Sequence, residues 1–406
     1  MLHPSDALAR ILESIEPLSE AEEVPLADAA GRLLARPAVS DVDLPPFEKS
    51  MMDGYALRSS ERQEPGALRC VGESRAGAPF DGTVGAGECV AIYTGAELPS
   101  GLDAVEQIER TRRDGDVVHF EAAVPVGRHV SPLGEILRRD AAVLSPPRRL
   151  SPVDLSVLAS VGCDPVPVLR APRVQVLTTG DELVPPGATP GPGQIREGNT
   201  LFLAAACAEL GWRVERAGIV RDEGALLEDA FRRALDEGDA LITTGGVSVG
   251  KYDLVGAAFE AIGVEPVLHK VAIKPGKPIW FGMRGSKPVF GLPGNPVSSL
   301  LGFEVFVRPA LLKLAGHGPQ ASVERLGRAH WRGPQKRSSQ RQHHLPARLV
   351  AREDGGMDLH PLPFRGSADH VSVAEADAFV VIPADGAIEP DELVAYRPLG
   401  PGERRG

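Results

Sequence analysis

Between residues 172 and 316, short apolar runs alternate with amphipathic segments, and this alternation limits the fold more than any other feature of the sequence. The runs VQVLTTG, DALITTGG and KPVFGLPG are typical of buried strands, whereas NTLFLAAACAELG and GALLEDAFRRALDEG have helical periodicity. A chain that alternates in this way forms a parallel sheet with helices on both faces. We therefore predict a three-layer α/β domain over residues 172–317, with VEPVLHKVAI as a further strand.

The segment before this domain changes character twice. Residues 5–16 have the apolar spacing of a half-buried helix, and LADAAGRLLA predicts a second short helix. Short β-prone runs separated by Gly and Pro follow, and they predict an inserted β domain over residues 46–139. Helix signals return at Ser151, an N-cap residue that is followed by Pro152. We therefore predict an elongated, discontinuous helical domain that consists of residues 1–45 and 140–171.

The last part of the chain loses its helix signals. HHLPARLVA, DHVSVA, AFVVIPA and ELVAYRPL alternate between apolar and polar residues, as strands do. They predict a small C-terminal β barrel or sandwich over residues 318–406. The basic run QKRSSQR (335–341) is predicted to be a loop.

Charge and composition exclude several classes of protein. A formal net charge of -11 disfavours general nucleic-acid binding, which needs clustered Lys and Arg. No run approaches the roughly 20 apolar residues of a membrane span, and the N-terminal segment lacks the pattern of a secretory signal. The 4 cysteines have no metal-ligand spacing and are predicted to be buried, reduced thiols. We expect a cytoplasmic protein in which any anionic ligand needs a local basic pocket.

Three glycine-rich turns follow predicted strands, namely TTGDEL (178–183), TTGGVSVGKYD (243–253) and GLPGNPVSS (291–299). The carboxyl ends of parallel strands share one edge of a sheet, so these turns should converge there. In the third turn, Asn295 is a predicted N-cap before Pro296, and Ser298 and Ser299 follow in the first helical turn. A well-capped helix alone would explain that turn. Three turns on one edge favour a ligand site for an oxyanion or phosphate.

Charged residues near this edge indicate the chemistry of the ligands. Asp181, Glu182 and Asp253 supply carboxylates of the kind that Mg²⁺ requires. N-capping and solvated turn chemistry would also explain them, and this alternative is the better one for Asp181. The segment HKVAIKPGK (269–277) contains no acid and carries Lys270, Lys274 and Lys277. Either its turn presents ammonium groups to an anion, or these lysines line a solvated strand edge; the two readings are equally plausible.

Outside the α/β domain, single polar residues stand in unusual settings. Asp53 lies among apolar residues in SMMDGYAL, and an acid in such a setting needs a partner or a function. Thr94 ends a predicted strand in IYTGAELP. Arg341 and Ser367 could add a guanidinium and a hydroxyl to an anion site. Taken alone, each is better explained by turn chemistry or by surface placement.

Successive motifs resemble one family from end to end. In chain order they are PLADAAGRLLA, LPPFEKSMMDGYAL, IYTGAELP, TTGDEL, TTGGVSVGKYD, KVAIKPGKP, GLPGNPVSS and RGS. Together they resemble the MoeA and gephyrin E-domain family of molybdopterin molybdenumtransferases. The resemblance implies the domains proposed above, with the α/β domain similar to the molybdopterin adenylyltransferase fold. It also implies a homodimer in which the first and second domains of one chain face the third and fourth of the other.

The resemblance further implies a reaction. In that family, molybdenum from molybdate is inserted into adenylylated molybdopterin, AMP is released, and Mg²⁺ takes part. The expected partners are these small molecules, a second copy of the chain and, as an open alternative, a molybdopterin adenylyltransferase. Neither nucleic acid nor a membrane is expected.

The resemblance assigns roles by position in this sequence. The catalytic roles fall on Asp53, Thr94, Glu182 and Asp253. The metal-binding roles fall on Asp53, Glu182, Glu223 and Asp253. The cofactor-binding and molybdate-binding positions are Lys270, Lys274, Lys277, Ser298, Arg341 and Ser367, with Gly245, Gly246, Pro293 and Pro296 in the glycine-rich turns.

The sequence departs from the family pattern in places. Ile136 stands where many members have an aspartate, and either Glu135 or Asp140 could compensate. Glu223 replaces the usual second aspartate in VRDEG, and His343 and His344 stand where more apolar residues are common.

Two other functions stay open on the sequence. An enzyme like the molybdopterin adenylyltransferases would explain the α/β domain, but not the domains around it. A non-catalytic dimeric scaffold of the same fold would explain Ile136, but not the charged residues that are retained elsewhere.

Overall fold

A computed structural model of the chain describes residues 1–247, 254–318 and 326–399. Its α/β part is built on a sheet of 6 strands. Four neighbouring strands pair in parallel, as the sequence predicts, and the two remaining pairings at one edge are antiparallel, because Trp280–Arg284 runs against the other strands. Trp280–Arg284 and Lys287–Leu292 are joined by a tight turn, which only antiparallel neighbours permit. The spatial order is Arg213–Val220, Arg173–Thr179, Ala240–Thr244, Lys287–Leu292, Trp280–Arg284 and Glu265–His269.

Helices cover both faces of this sheet, so the predicted three-layer architecture is confirmed. Alternate strand residues enter different cores: Ile242 and Phe290 belong to one apolar cluster, and Leu241 and Val289 to the other. The second cluster is covered by Gly224–Glu237 and Leu254–Ala261. The first is covered by Asn199–Ala208, by the N-terminal helix Pro4–Glu13, and by Pro296–Gly302, Phe303–Val307 (π-helical) and Arg308–Leu314.

The predicted strand VEPVLHKVAI is wrong as a single element. Only Glu265–His269 forms a strand of the α/β sheet. The strand stops there because Lys270 adopts a φ of 70°, which strands do not accommodate. The next strand, Ile273–Lys274, pairs with Gln342 and His343 of the C-terminal sheet. The chain therefore passes from the α/β sheet to the C-terminal sheet between His269 and Ile273, and Lys274 belongs to the C-terminal sheet.

The C-terminal segment forms a closed five-stranded barrel, as the sequence predicts. Closure follows because Gln342–Ala351 pairs with both Met357–Pro361 and Ala378–Ile382. Gly327–Trp331 and Leu393–Pro398 complete the ring. Outside the ring, Ile273–Lys274 pairs with the start of Gln342–Ala351. Lys336–Arg337, which lies in the run that was predicted as a loop, pairs with Ala387–Ile388.

The predicted strand DHVSVA is wrong, because this segment is the helix His370–Ala374. Asp369 decides the outcome: its carboxylate accepts the Ser372 N–H at 3.2 Å and the Ser372 hydroxyl at 2.8 Å. A capped first turn stabilises a helix that apolar alternation alone does not reveal.

The inserted β part contains a second sheet of 6 strands. In spatial order they are Ala104–Gln107, Gly54–Leu57, Glu88–Ile92, Gly66–Ser74, Val117–Phe120 and Thr111–Asp114. Short 3-10 helices lie at Ser59–Glu61 and Ile108–Arg110. Two small pairings connect this region to its surroundings, Lys49–Ser50 with Val130–Ser131 and Ala38–Val39 with Ala142–Leu144.

The segments that flank this β part share an apolar cluster, to which Leu34 and Ala38 contribute from one side and Leu144 and Leu158 from the other. The helix predicted for LADAAGRLLA is wrong. Gly31 has a φ of 74° and donates its N–H to the Leu150 carbonyl, which interrupts helical hydrogen bonding. The observed elements here are Leu26–Asp28 (3-10), the helix Pro152–Ser160, and a sheet of Ala21–Val24, Val166–Leu169, Leu33–Leu34 and Arg148–Arg149.

Two further observations bear on the sequence predictions. All 4 cysteines are unpaired, but only Cys89 and Cys207 are buried, whereas Cys70 and Cys163 are half-buried. None of the helices in the described ranges combines the length and apolarity that crossing a membrane demands.

Candidate functional site

The three glycine-rich turns border one cavity at the carboxyl edge of the α/β sheet. The cavity has a volume of about 720 Å³, and Thr178, Glu182, Gly245 and Asn295 lie in its wall. Each of the three turns therefore contributes to it. A volume of this size accommodates a ligand as large as a nucleotide.

Hydrogen bonds between neighbouring strand ends hold these turns together. The Thr244 hydroxyl donates to Thr178 Oγ1 at 2.8 Å, and the Thr178 hydroxyl donates to the Thr244 carbonyl at 3.1 Å. Gly245 follows at a φ of 90°, and a Cβ there would lie 2.4 Å from the Thr179 carbonyl oxygen. Only glycine therefore fits at this position. Gly246, with a φ of 66°, is similarly crowded by Val255.

The third turn differs from its predicted form. Asn295 holds the N-cap position and lines the cavity with Pro296. The hydroxyl of Ser299, however, donates to the Pro293 carbonyl, and the Val297 N–H donates to the Ser367 carbonyl at 3.0 Å. These groups stabilise the turn instead of facing a ligand.

The C-terminal part of the chain supplies one wall of the cavity. Ala368, His370 and Val373 line it, and they come from the loop and helix that follow Ser367. Opposite them, Asn199 lines the cavity and donates its side-chain N–H to the Gly294 carbonyl at 2.8 Å. The cavity thus lies where the α/β part meets the segment that follows Gly366.

Carboxylates gather at the first of these turns. Glu182 lines the cavity, and the Asp222 N–H donates to Asp181 Oδ1 at 3.4 Å. Burial and the nearby charges of Asp181 and Glu182 raise the pKa of Asp222. Glu223, the residue that was assigned to the metal by position, is exposed at the start of the next helix. Asp253 lies outside the described residues.

Within the described part of the chain, no three His, Cys, Asp or Glu side chains are arranged to hold a metal ion by themselves. Burial is the main cause of the raised pKa of Asp222, and the charges of Asp181 and Glu182 add to it. A divalent cation that also binds substrate oxygens would offset these negative charges.

A second cavity, of about 310 Å³, is lined by cationic and polar side chains. Lys274 and Arg341, two of the residues predicted for an anion site, lie in its wall. Among the described residues, no carboxylate lies in this wall, although the chain carries a net charge of -11. The remaining lining residues are Arg337, Ser338, Ser339 and His343.

His343 is neutral in this cationic pocket. Burial is the main reason that its pKa is lowered to about 4, and the charges of Lys274, Arg341 and Lys336 add to the effect. A neutral imidazole can both donate and accept a hydrogen bond. His344, the next residue on the strand, is fully buried against Phe379, away from the pocket.

The other predicted anion-binding residues lie nearby without lining this pocket. Ser298 is buried, and its carbonyl oxygen faces Gly276 of the lysine turn, since a Cβ on that glycine would lie 3.5 Å away. Lys277 and Lys270 are half-buried within the turn, which is closed by a bond from the Val271 N–H to the Lys277 carbonyl at 3.1 Å. Ser298 thus lies next to the lysine turn, although it lines neither cavity.

Asp53 and Thr94 form a pair on the inserted β part. The N–H and the hydroxyl of Thr94 both donate to Asp53 Oδ1, each at 2.7 Å. The backbone bond and then the hydroxyl bond lower the pKa of Asp53, so this carboxylate is ionised at neutral pH. Both residues are exposed, and within the described part of the chain they line neither cavity.

The two carboxylates near Ile136 have different surroundings. Ile136 is 75% exposed. Glu135 accepts a hydrogen bond from the Ser131 hydroxyl at 2.6 Å, and Asp140 is exposed at a φ of 65°.

Sequence patterns did not indicate several residues in this region. Asp222 lies beside the first glycine-rich turn and Asn199 lines the large cavity, so strand polarity could have indicated them. Arg337 and Ser339 lie in a run that was predicted as a plain loop, and His370 in one that was predicted as a strand. Their positions depend on tertiary contacts that local pattern does not reveal.

Comparison with known proteins agrees with this architecture. Sequence profiles match the MoeA N-terminal region (domains I and II) at residues 2–162, a probable molybdopterin binding domain at 175–313, and the MoeA C-terminal region (domain IV) at 329–399. The molybdopterin molybdenumtransferase of Haemophilus influenzae is 33% identical over 98% of this chain and 99% of its own length. The chain belongs to the MoeA family. The family expected from the sequence motifs is thus confirmed.

Other MoeA relatives support the same assignment. The molybdopterin molybdenumtransferase of Bacillus subtilis is 30% identical over 94% of this chain and 90% of its own length. A crystal structure of the molybdopterin biosynthesis MoeA protein of Pyrococcus horikosii has a TM-score of 0.84 and 32% identity, and covers 98% of this chain and 99% of that one.

Proposed function

We propose that this chain is a molybdopterin molybdenumtransferase that inserts molybdenum from molybdate into adenylylated molybdopterin and releases AMP. The observation that carries the proposal is the pair of cavities, a large one at the carboxyl edge of the sheet and a cationic one whose described lining residues include no acid. These cavities offer separate sites to a phosphate-containing ligand and to a small oxyanion. The names of the MoeA relatives support the same activity.

The cationic pocket suits molybdate. Molybdate is a tetrahedral dianion, and Lys274 and Arg341 can each give it charge-assisted hydrogen bonds. Neutral His343 can donate a further bond without requiring a counter-ion. Elsewhere the acidic protein repels small anions, so this pocket concentrates them.

The large cavity suits adenylylated molybdopterin. Its glycine-rich turns allow backbone groups to approach phosphates closely, and Asn295 stands at a helix N-terminus, where anions are favoured. Phe202 and Val373 supply apolar surface for a ring system. The ligand would then extend towards Ser298 and the molybdate pocket.

Magnesium fits the carboxylates at the first turn. Glu182 and Asp222 would hold it, with Asp222 in place of the Glu223 that sequence position suggested. Mg²⁺ keeps much of its water and takes only a few protein carboxylates beside substrate phosphates. When bound, it would neutralise charge on the phosphoanhydride that is cleaved.

We further propose that a second copy of the chain completes the site. The ionised Asp53 is held by Thr94 on the β part, so it can orient a water or contact the metal. Both residues are exposed and lie outside the two cavities of their own chain, which fits a role at the cavity of a partner copy. The unpaired cysteines fit a reducing, cytoplasmic location.

Activity is tested with purified protein, adenylylated molybdopterin, molybdate and Mg²⁺. We expect release of AMP together with a product that reconstitutes an apo molybdoenzyme. Consumption of ATP with molybdopterin would instead indicate an adenylyltransferase. A folded dimer that yields neither AMP nor cofactor would indicate a scaffold.

The molybdate assignment is tested by Lys274→Ala. We expect the molybdate concentration for half-maximal activity to rise by about tenfold, because one charge-assisted hydrogen bond is lost. Lys287→Ala is the matched control, since Lys287 lies at the opposite end of the strand Lys287–Leu292 from the cavity. An unchanged molybdate requirement in Lys274→Ala would remove that residue from the site.

A further inference from the structure

Cys70 and Cys89 lie opposite each other on neighbouring strands of the β part. They are in-register partners of the parallel strands Gly66–Ser74 and Glu88–Ile92. Both belong to the apolar cluster around Leu68 and Val118, so their side chains share one face of the sheet. Adjacent strands lie about 4.8 Å apart, which is within the range of Cα separations that a disulfide can bridge.

The two thiols differ in accessibility. Cys89 is fully buried, whereas Cys70 is half-buried and can be reached from solvent. The Cys70 thiol donates to the Gly72 carbonyl at 3.4 Å, and the charge of Arg113 acts on Cys70. One cysteine is therefore placed for attack on a solvent-borne reagent, and the other is held beside it.

The pKa of the accessible thiol is lowered and that of the buried thiol is raised. The hydrogen bond from Cys89 is the main reason that the pKa of Cys70 is lowered to about 6, and the charge of Arg113 lowers it further. The pKa of Cys89 is raised by its bond to Cys70, by burial and by the charge on Cys70. The accessible sulfur therefore ionises more readily than the buried one, and the thiolate is the nucleophilic form.

We propose that Cys70 and Cys89 are a hydroperoxide-sensitive redox pair, with Cys70 as the attacking residue and Cys89 as the resolving residue. The Cys70 thiolate attacks hydrogen peroxide; an S–O bond forms, the O–O bond breaks, and hydroxide leaves. The Cys89 thiol then displaces the hydroxyl of the Cys70 sulfenic acid. Overall, two thiols and one peroxide give one disulfide and two waters.

The first step activates the second. Two of the three influences that keep Cys89 protonated come from the Cys70 thiolate, namely its hydrogen bond and its charge. Both disappear when Cys70 becomes a neutral sulfenic acid. Cys89 then ionises more easily, on the strand next to the sulfur that it must attack.

The disulfide would lie close to a residue of the proposed active site. The strand Glu88–Ile92 runs through Tyr93 into Thr94, which holds Asp53. Joining this strand to its neighbour would make the sheet that carries Asp53 more rigid. The redox pair itself does not depend on the proposed function.

The test treats the full-length protein with hydrogen peroxide at neutral pH, alkylates the remaining thiols and maps the peptides by mass spectrometry. We expect a crosslink between the Cys70 and Cys89 peptides with the loss of two hydrogens, reversed by dithiothreitol. Cys163→Ser is the matched control, because Cys163 is also half-buried but has a raised pKa. The Cys163→Ser variant should form the same crosslink between Cys70 and Cys89 as the wild type.

Two variants separate the roles. Cys89→Ser should stop at a Cys70 sulfenic acid that dimedone traps, and Cys70→Ser should form neither product. In the untreated wild type, Cys70 should react with iodoacetamide roughly five- to tenfold faster than Cys163 at neutral pH. The proposal is overturned if peroxide takes wild-type Cys70 to a sulfinic acid without a crosslink, or if Cys163 is oxidised first.

Discussion

His343 shows how one side chain can link pH to stability at the proposed oxyanion site. It is held neutral by burial among Lys274, Arg341 and Lys336. Its pKa falls from 6.5 to about 4 on folding, so the unfolded chain binds more protons than the folded one between these values. Stability from this residue is therefore complete above pH 6.5 and is lost as the pH falls towards 4.

His343→Gln tests this linkage, because glutamine keeps a polar side chain without a titrating ring. Acidification from pH 7 to pH 4.5 should destabilise the wild type by about 1–2 kcal/mol more than the variant. Urea denaturation at both pH values measures the difference. His344 is present in both proteins, so its own titration cancels. Parallel losses of stability in the two proteins would contradict the assignment.

At the scale of single elements, the helix Pro152–Ser160 is held by its first turn. Ser151 Oγ accepts the Asp154 N–H at 3.3 Å, and the Ser151 N–H donates to Asp154 Oδ2 at 2.8 Å. Ser151→Ala should lower the free energy of unfolding by about 1 kcal/mol, since one capping acceptor is lost. Ser156→Ala, an exposed mid-helix change, should leave it nearly unaltered. Equal denaturation midpoints for the two variants would refute the capping role.

The turn after the strand Ala240–Thr244 makes a second element-scale prediction. In Gly245→Ala, a Cβ would lie 2.4 Å from the Thr179 carbonyl oxygen at a φ of 90°, so the strand ends must separate. We expect a loss of about 2–4 kcal/mol in stability and at least tenfold weaker nucleotide binding.

Gly263→Ala is the control for the backbone conformation alone. Its φ is 81°, but nothing lies within 4 Å of the added Cβ. It should cost only about 1 kcal/mol and should leave binding of AMP, measured by calorimetry, unchanged. If both variants bind AMP like the wild type, the close approach of Gly245 to the first turn is not important for the cavity.

The same elements show what could be predicted from sequence. Convergence of TTGDEL, TTGGVSVGKYD and GLPGNPVSS required only strand polarity, so one cavity could be anticipated. The helix His370–Ala374 could not, because its apolar alternation imitates a strand and the Asp369 cap decides otherwise. Nor could the pairing of Ile273–Lys274 with Gln342 and His343 be foreseen, since it joins segments far apart in sequence.

At the scale of the whole molecule, the residues of the proposed site lie in two separate regions of the chain's fold. The α/β part and the C-terminal part together enclose both cavities, and Lys274 belongs to a strand that joins them. The Asp53–Thr94 pair lies on the β part, and within the described residues it borders neither cavity. One chain alone thus holds the oxyanion pocket and the ionised carboxylate at separate places.

This separation predicts complementation between inactive variants. Asp53→Ala and Lys274→Ala should each be nearly inactive at low molybdate. In mixed dimers, one of the two sites would combine the intact Asp53 of one chain with the intact Lys274 of the other. Random exchange of an equal mixture should therefore restore about a quarter of wild-type activity, because about half of the dimers are mixed.

The measurement needs proof that subunits exchange. Differently tagged variants are mixed, mixed dimers are isolated by sequential affinity steps, and AMP release is assayed at low molybdate. In the control, each variant is mixed with a differently tagged copy of the same variant. This mixture should show no recovery of AMP release. If isolated mixed dimers stay as inactive as their parents, then Asp53 and Lys274 serve the same chain, and the β part must reach its own cavity by moving.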